Sequence, residues 1–337
     1  MGIFQDITTR NLTLDGAMGT MIQRYPLTEA DFRGNRFQNH NIPLKGNNDL
    51  LCITRPDIIT EIHLQYFEAG ADIVETNTFN AQQISMEDYQ LTDCISEVNT
   101  AAVNCAKAAR EAYYAQHGDS IKKYIAGAVG PTSKTASLSP KVEDPAYRAI
   151  GFEDLKNAYF EQIDAMIVAG VDAILIETIF DTLNAKAAFY AALEVLEKHQ
   201  LSPITKENPD GDIALMASGT ITDAAGRTLS GQTAGAFAIS LGHLPLFSIG
   251  FNCALGADQL LPYIKELKKH SKAFISAYPN AGLPNALGQY DETPETMKAK
   301  VTPYVAEKHV HILGGCCGTT PNHIHAIASL NQQQHSR

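Results

Sequence analysis

Along this chain, short unbroken apolar runs alternate with longer stretches in which apolar residues recur every third or fourth position. The unbroken runs fall at 11–15, 124–129, 212–217, 246–250, 273–277 and 310–313, and each one ends in a loop containing glycine or proline. Runs of that length without alternation predict strands buried on both faces, as in a parallel sheet. Between them lie helical stretches. Over 56–69, Ile58, Ile59, Ile62, Tyr66 and Phe67 share one helix face, with Pro56 at the first turn and Gly70 at the stop. A second such helix is predicted over 152–169.

Each of these two helices runs into a related segment. Ala69-Gly70-Ala71-Asp72-Ile73-Val74-Glu75-Thr76 is echoed by Ala169-Gly170-Val171-Asp172-Ala173-Ile174-Leu175-Ile176-Glu177-Thr178. A helix, a glycine and a strand ending in an acid and a threonine, used twice, mark a βα repeat. Counting these two strands, eight are predicted without a domain linker, which favours a single (β/α)8 TIM-type barrel over a doubly wound sheet. The barrel is expected to span 1–337 with its core at about 10–330 and a polar tail at 331–337. A long insertion after the first strand, 25–51, is rich in Asn, Arg and Gly and reads as too polar for the core.

Composition narrows the function classes. With 337 residues and 45% apolar content, the chain can bury a large core. A formal charge of −11 without a basic cluster argues against nucleic acid or an anionic membrane as partner. The N-terminus has no signal-peptide pattern, and no stretch is apolar enough to span a bilayer. Six scattered cysteines are too few for a disulfide scaffold, so a reducing cytoplasm is the expected setting.

The candidate chemistry gathers where strands end, and in a barrel those ends share one face. Cys316 and Cys317 stand together in Gly314-Gly315-Cys316-Cys317-Gly318-Thr319-Thr320-Pro321 after the last strand, and Cys253 follows the sixth. Core thiols, a vicinal disulfide and a redox pair are the competing readings of the adjacent cysteines. With Cys253 in the same place, three thiolates suit zinc with an open fourth position. Three sulfur ligands leave zinc a poor activator of water but well able to lower the pKa of an incoming thiol and keep it nucleophilic. Asp15 opens the turn Gly16-Ala17-Met18-Gly19-Thr20, whose backbone N–H groups suit a carboxylate. Glu177 and Asp15 suit an ammonium, Glu75 shares the local context of Glu177, and Asn77 lies beside it. Cys94 and Cys105 read as helix packing residues. His63, His243, His309, His311, His323 and His325 read as surface or helix residues, with a histidine ligand to zinc disfavoured.

Several longer motifs carry a resemblance: 14–23, Glu29-Ala30-Asp31-Phe32-Arg33-Gly34, Lys45-Gly46-Asn47-Asn48-Asp49-Leu50-Leu51, Glu75-Thr76-Asn77-Thr78-Phe79, Asn252-Cys253-Ala254-Leu255-Gly256 and the Gly-Gly-Cys-Cys-Gly element. Over about 10–330 the chain resembles the homocysteine-binding module of cobalamin-dependent methionine synthases, within the homocysteine S-methyltransferases. The segments at 29–34 and 45–49 look specific to the cobalamin branch. The resemblance implies zinc on Cys253, Cys316 and Cys317, and homocysteine bound through its sulfur. Its amino group would meet Asp15 and Glu177, its carboxylate the turn from Gly16 to Thr20, and Asn252 would help to orient the site or bind zinc when substrate is absent. The reaction implied is methyl transfer from methylcobalamin to the zinc-bound homocysteine thiolate, giving methionine. A donor such as S-methylmethionine or another sulfonium is the alternative. The multi-module enzymes continue into cobalamin-binding and methyltetrahydrofolate-binding modules, whereas this sequence ends at Arg337. Methylcobalamin is therefore expected from a separate module or subunit and is not expected to bind stably to this chain alone.

Overall fold

Each apolar run becomes a strand in the computed structural model, which describes residues 2–223 and 225–333. In chain order the strands are β1 (Leu12–Thr13), β2 (Ile73–Glu75), β3 (Tyr124–Val129), β4 (Ala173–Ile179), β5 (Ile213–Gly219), β6 (Ser248–Gly256), β7 (Phe274–Asn280) and β8 (Ile312–Leu313). All neighbours pair in parallel, β1 lying beside β8 and the order then running back from β8 to β2. A parallel bridge between Leu14 and Ile73 brings β1 against β2 and completes the barrel. Residues Pro203–Ile204 add a short outer pairing to β5.

Strand periodicity sorts the side chains into two cores. Leu12, Leu14, Tyr124, Ala126, Ala173, Leu175, Ala214 and Met216 fill the barrel interior. The alternate residues Ile125, Val129, Ile174, Ile176, Leu215 and Ala217 face the surrounding helices. An N-terminal helix, Ile3–Thr9, places Ile3 and Ile7 in the interior cluster, and the Phe4 ring packs edge-on against Phe274 at 5.8 Å. That cluster also holds Phe247 and Tyr124, so the interior is packed rather than open.

The repeated Gly-x-Asp units have a shared structural task. Asp72 accepts the backbone N–H of Thr13 on β1 at 2.8 Å and pairs with Arg10 at 2.7 Å. Asp172 accepts the N–H of Ile125 on β3 at 2.8 Å and pairs with Arg110 at 3.0 Å. Each Asp thus ties the entry of its strand to a neighbouring strand, satisfying backbone donors that would otherwise be buried unpaired.

The insertion corrects the expectation that it lies outside the core. Phe32, Phe37, Leu44, Leu50 and Leu51 are buried in the outer core, and Asn47 and Asp49 are buried with them. Its polar residues fold it rather than solvate it. The Glu29 carboxylate accepts the N–H groups of Leu44 and Lys45, each at 2.8 Å, and pairs with Arg33 at 2.7 Å. The last helix, Pro321–Gln333, includes part of the stretch expected to be a polar tail, and Asn331 donates to Thr13 at 2.8 Å. Residues 334–337 of that tail lie outside the described residues.

Candidate functional site

A cavity of about 600 Å³ opens where the strands end, lined among others by Asp15, Glu75, Glu177, Cys253, Cys316 and Cys317. Residues as far apart in sequence as Asp15 and Cys317 meet there because parallel strands place all their C-terminal ends on one face.

The thiols reach the cavity by breaking strand geometry. β6 and β7 stay in register through Asn252 and Tyr278, lose it, and regain it at Gly256 and Asn280. In the gap, Cys253 and Ala254 adopt φ of 59° and 56°. Left-handed conformations in residues other than glycine cost on the order of 1–3 kcal/mol each and persist only where the surroundings impose them. Cys253 therefore stands inside a bulge of β6 rather than beyond the strand as its sequence position suggested. Its Sγ lies 3.7 Å from that of Cys317, and the sulfur atoms of Cys253, Cys316 and Cys317 all lie within 4.8 Å of one another. Three thiols so close do not share charge equally. Hydrogen bonds from Cys253 and then Cys316 pull the Cys317 thiol down to about 3, whereas those same bonds with Cys253 and Cys317 hold Cys316 well above its usual value.

The loop carrying Cys316 and Cys317 is fastened on both sides. Gly315 donates its N–H to the carbonyl of Asp15 at 3.1 Å, Cys316 donates to Pro279 at 2.9 Å, and the Cys317 carbonyl accepts from Ala281 at 2.9 Å. Thr319 donates its hydroxyl to the Cys316 carbonyl at 2.6 Å and accepts the Ala17 N–H at 3.1 Å. The close approach of the two turns requires Gly16, where a Cβ would lie 2.7 Å from Thr319 Oγ1. Gly318 has φ of +80°, and a Cβ there would run into Tyr290.

Within the turn from Gly16 to Thr20, a short helix, Met18–Ile22, begins. The Ala17 amide is already engaged by Thr319, whereas Met18, Gly19 and Thr20 line the cavity and stand in the first turn, where amides lack intrahelical acceptors. Thr20 also accepts the Gly318 N–H at 3.1 Å, joining the turn to the cysteine loop.

Asp15, Glu75 and Glu177 form the acidic wall. Asp15 is buried, its Oδ2 accepting the Glu75 N–H at 3.0 Å and its Oδ1 unpartnered. Burial, and then Glu177, push its carboxyl well above the usual range. Burial also raises Glu177, to about 8. Asn252 lies behind this wall, fully buried, and positions it. Its Nδ2 donates to Glu177 Oε2 at 3.3 Å and Thr178 Oγ1 at 2.9 Å, and its Oδ1 accepts from Thr178 N at 3.0 Å and Ser218 Oγ at 2.7 Å. Thr178 itself sits at φ of 54°, held by these bonds.

Just beyond Glu75, Asn77 also lines the cavity and donates to the Asn48 carbonyl of the insertion at 2.8 Å. Asp49 and Tyr290 are among the lining residues that had not been singled out as site residues. Asp49 is buried, accepts the Asn80 N–H at 2.8 Å, and is raised to about 7 by burial. Tyr290 packs against Gly318 and has its phenol held above the usual range, first by burial and then by the Cys317 charge. The sequence held a hint for Asp49, a carboxylate in a stretch whose neighbours Leu50 and Leu51 are apolar. It held none for Tyr290, which lies in a polar loop. Cys94 and Cys105 are buried helix-associated residues outside the cavity lining, while His63 and His323 are helix residues, as one of the two expected settings had it, and are buried.

The wider comparisons agree with this architecture. A family model described as homocysteine S-methyltransferase matches residues 12–330. The metallated form of the homocysteine methyltransferase MmuM from Escherichia coli superposes with a TM-score of 0.70 at 21% identity, covering 95% of this chain and 96% of that one. The oxidized form gives 0.69 at 20% identity, with 95% of each chain covered. At such identities the superposition establishes the shared fold.

Proposed function

This chain belongs to the homocysteine S-methyltransferase family, and from that premise we propose that it binds homocysteine and readies its sulfur for methylation by methylcobalamin supplied on a separate module. The observation that carries the reading is the juxtaposition of three clustered thiols with an acidic wall across one cavity. Homocysteine has the matching pair of ends, a thiol and an α-ammonium.

Cys253, Cys316 and Cys317 would hold zinc, and their geometry and soft donor set fit it. Bound there, the ion supplies a lowered thiol pKa while its sulfur-rich shell preserves nucleophilicity. The chain's own residues do the rest. Asp15 and Glu177 receive the ammonium, the amides of Met18, Gly19 and Thr20 receive the carboxylate, and Asn252 keeps Glu177 in place. Methyl transfer then forms the sulfur–carbon bond of methionine. The donor leaves with the electron pair of its broken bond, and the thiol proton goes to solvent.

The choice of methylcobalamin is supported by the segments that resemble the cobalamin branch. Glu29 and Arg33 brace the insertion, and Asn48 and Asp49 carry it to the cavity wall. A sulfonium donor such as S-methylmethionine is the second reading, favoured by the acidic Asp49 beside a cavity large enough for two small ligands. The test is a side-by-side assay of zinc-loaded protein and L-homocysteine with free methylcobalamin or S-methylmethionine. Methionine formed from methylcobalamin supports the first reading. Turnover with the sulfonium alone replaces it with the second.

A further inference from the structure

Tyr278 brings to the cavity a hydroxyl that the fold itself does not use. It stands on β7, is only 1% exposed, and lines the cavity, yet among the described residues its Oη has no hydrogen-bond partner. The sheet fixes where the ring goes. Asn252 on β6 and Tyr278 on β7 are register partners, and partners across a parallel pair point to the same face. From that face Asn252 reaches Glu177, and Tyr278 belongs to the cluster that fills the barrel interior. The ring therefore joins the interior core to the cavity above it. A hydroxyl buried without a partner is a net cost to folding, and phenylalanine would fill nearly the same volume without it.

Of the unpartnered buried side-chain atoms among the described residues, only Asp15 Oδ1 and Tyr278 Oη belong to residues that line this cavity. Ser248 and Ser276 are also unpartnered, but neither lines it. Glu177 adds a third acceptor, held in place by Asn252 at 3.3 Å. Asp15 lies at the exit of β1, Glu177 on β4 and Tyr278 on β7. In the closed order of eight strands these positions are separated by three, three and two strands, so the groups approach from three sides. A primary ammonium presents three N–H donors in a tripod. Two carboxylates answer two of them, and a neutral hydroxyl can answer the third without burying a further charge. Glu75 does not complete such a tripod, because it stands beside Asp15, to which its own N–H donates at 3.0 Å.

We propose that the Tyr278 hydroxyl is the third acceptor for the substrate's α-ammonium, completing a tripod with Asp15 and Glu177. This rests on the reading of the cavity as a homocysteine site. The phenol oxygen accepts one N–H through a lone pair, and no covalent bond forms or breaks. Burial holds the phenol well above the usual range, so it enters the contact as a neutral group. Tyr278 is thereby a specificity residue for the amino end of the ligand. It favours a thiol that carries an α-ammonium over one that carries a carboxylate alone, and it leaves the sulfur to the cysteines.

The test compares L-homocysteine with 4-mercaptobutyrate, the same carbon chain without the amino group, by calorimetry on zinc-loaded wild type and Tyr278→Phe. Losing a hydrogen bond to a charged group should raise the Kd for homocysteine by roughly 10- to 150-fold and leave that for 4-mercaptobutyrate unchanged. The ligand-free variant carries a second signature that needs neither zinc nor turnover. Removing a hydroxyl that has no partner should leave its Tm equal to or above that of wild type. An unchanged homocysteine Kd, or an equal rise for both ligands, overturns the proposal. So does a lower Tm or a variant that fails to fold, either of which marks the hydroxyl as structural support. Where 4-mercaptobutyrate binds too weakly to measure, the homocysteine Kd and the ligand-free Tm decide by themselves. Absence of homocysteine binding to wild type would instead remove the functional reading itself, and the proposal with it.

Discussion

Single side chains divide the site into a sulfur end and an acidic end, and each end has its own expected failure. Cys253→Ala, Cys316→Ala or Cys317→Ala should each reduce bound zinc from about one equivalent to a small fraction, since each removes one of three donors. Metal analysis of the purified variants checks this, with far-ultraviolet circular dichroism expected to stay barrel-like. Glu177→Gln should raise the KM for homocysteine by roughly 10- to 150-fold, the loss of a charge-assisted bond of about 1.5–3 kcal/mol, with zinc content unchanged. Steady-state kinetics beside metal analysis separates the two ends. At this scale the sequence marked cysteines and acids near strand ends, and the fold brings Asp15, Glu75, Glu177, Cys253, Cys316 and Cys317 to one cavity. It was silent on the bonds by which Asn252 holds Glu177 and Thr178 and on Tyr290 packing against Gly318, since both depend on contacts between distant loops.

Among the elements, the loop after β8 is the most constrained. Gly318 holds a left-handed conformation at φ +80° with Tyr290 packed where a Cβ would project. Gly318→Ala should cost about 1–2 kcal/mol for the backbone alone. Together with the contact, a Tm fall of roughly 2–6 °C is expected, with loss of bound zinc. Adding Tyr290→Ala should recover part of that fall by removing the contact, but not all, because the backbone cost remains. Thermal melts of the single and double variants decide it. Strand and helix identities were legible from periodicity, as the match of β3 to 124–129 illustrates. The bulge in β6 was not, because left-handed Cys253 and Ala254 follow from what the cavity demands rather than from their own preferences. The insertion misled for a related reason. Its polar residues satisfy its own backbone, as Glu29 does for Leu44 and Lys45, and so allow Leu44 and Leu50 to be buried.

For the molecule as a whole, stability should depend on pH through groups buried without a counter-charge. Burial lowers His63 from 6.5 to about 3, so its contribution is present above pH 6.5 and is lost as pH falls toward 3. Burial raises Glu177 from 4.5 to about 8 and Asp49 from 3.8 to about 7, so their contributions are present in acid and lost as pH rises through those values. Ligand-free protein should therefore melt highest at mildly acidic pH and lose stability between pH 6.5 and 9. L-Homocysteine, which brings an ammonium to the acidic wall, should restore more stability at pH 9 than at pH 6. Differential scanning fluorimetry across that range checks both signs, and a flat or rising ligand-free Tm from pH 6.5 to 9 would contradict them.

The order of apolar runs and helical stretches was enough to specify a barrel, because burial on both faces and burial on one leave different periodicities. Among the described residues no helix is long and apolar enough to cross a membrane, in line with the hydropathy of the chain. The paired cysteines with Cys253 were legible as a set only once strand ends were known to converge. What the tertiary structure alone decided is how the charges and sulfurs are held: three thiols within 4.8 Å of one another, and Asp15, Glu75 and Glu177 lining one cavity with Asp15 accepting the Glu75 N–H. Local preference is set by a residue and its neighbours in sequence. The chemistry of this cavity is set by side chains that meet only when the barrel has closed.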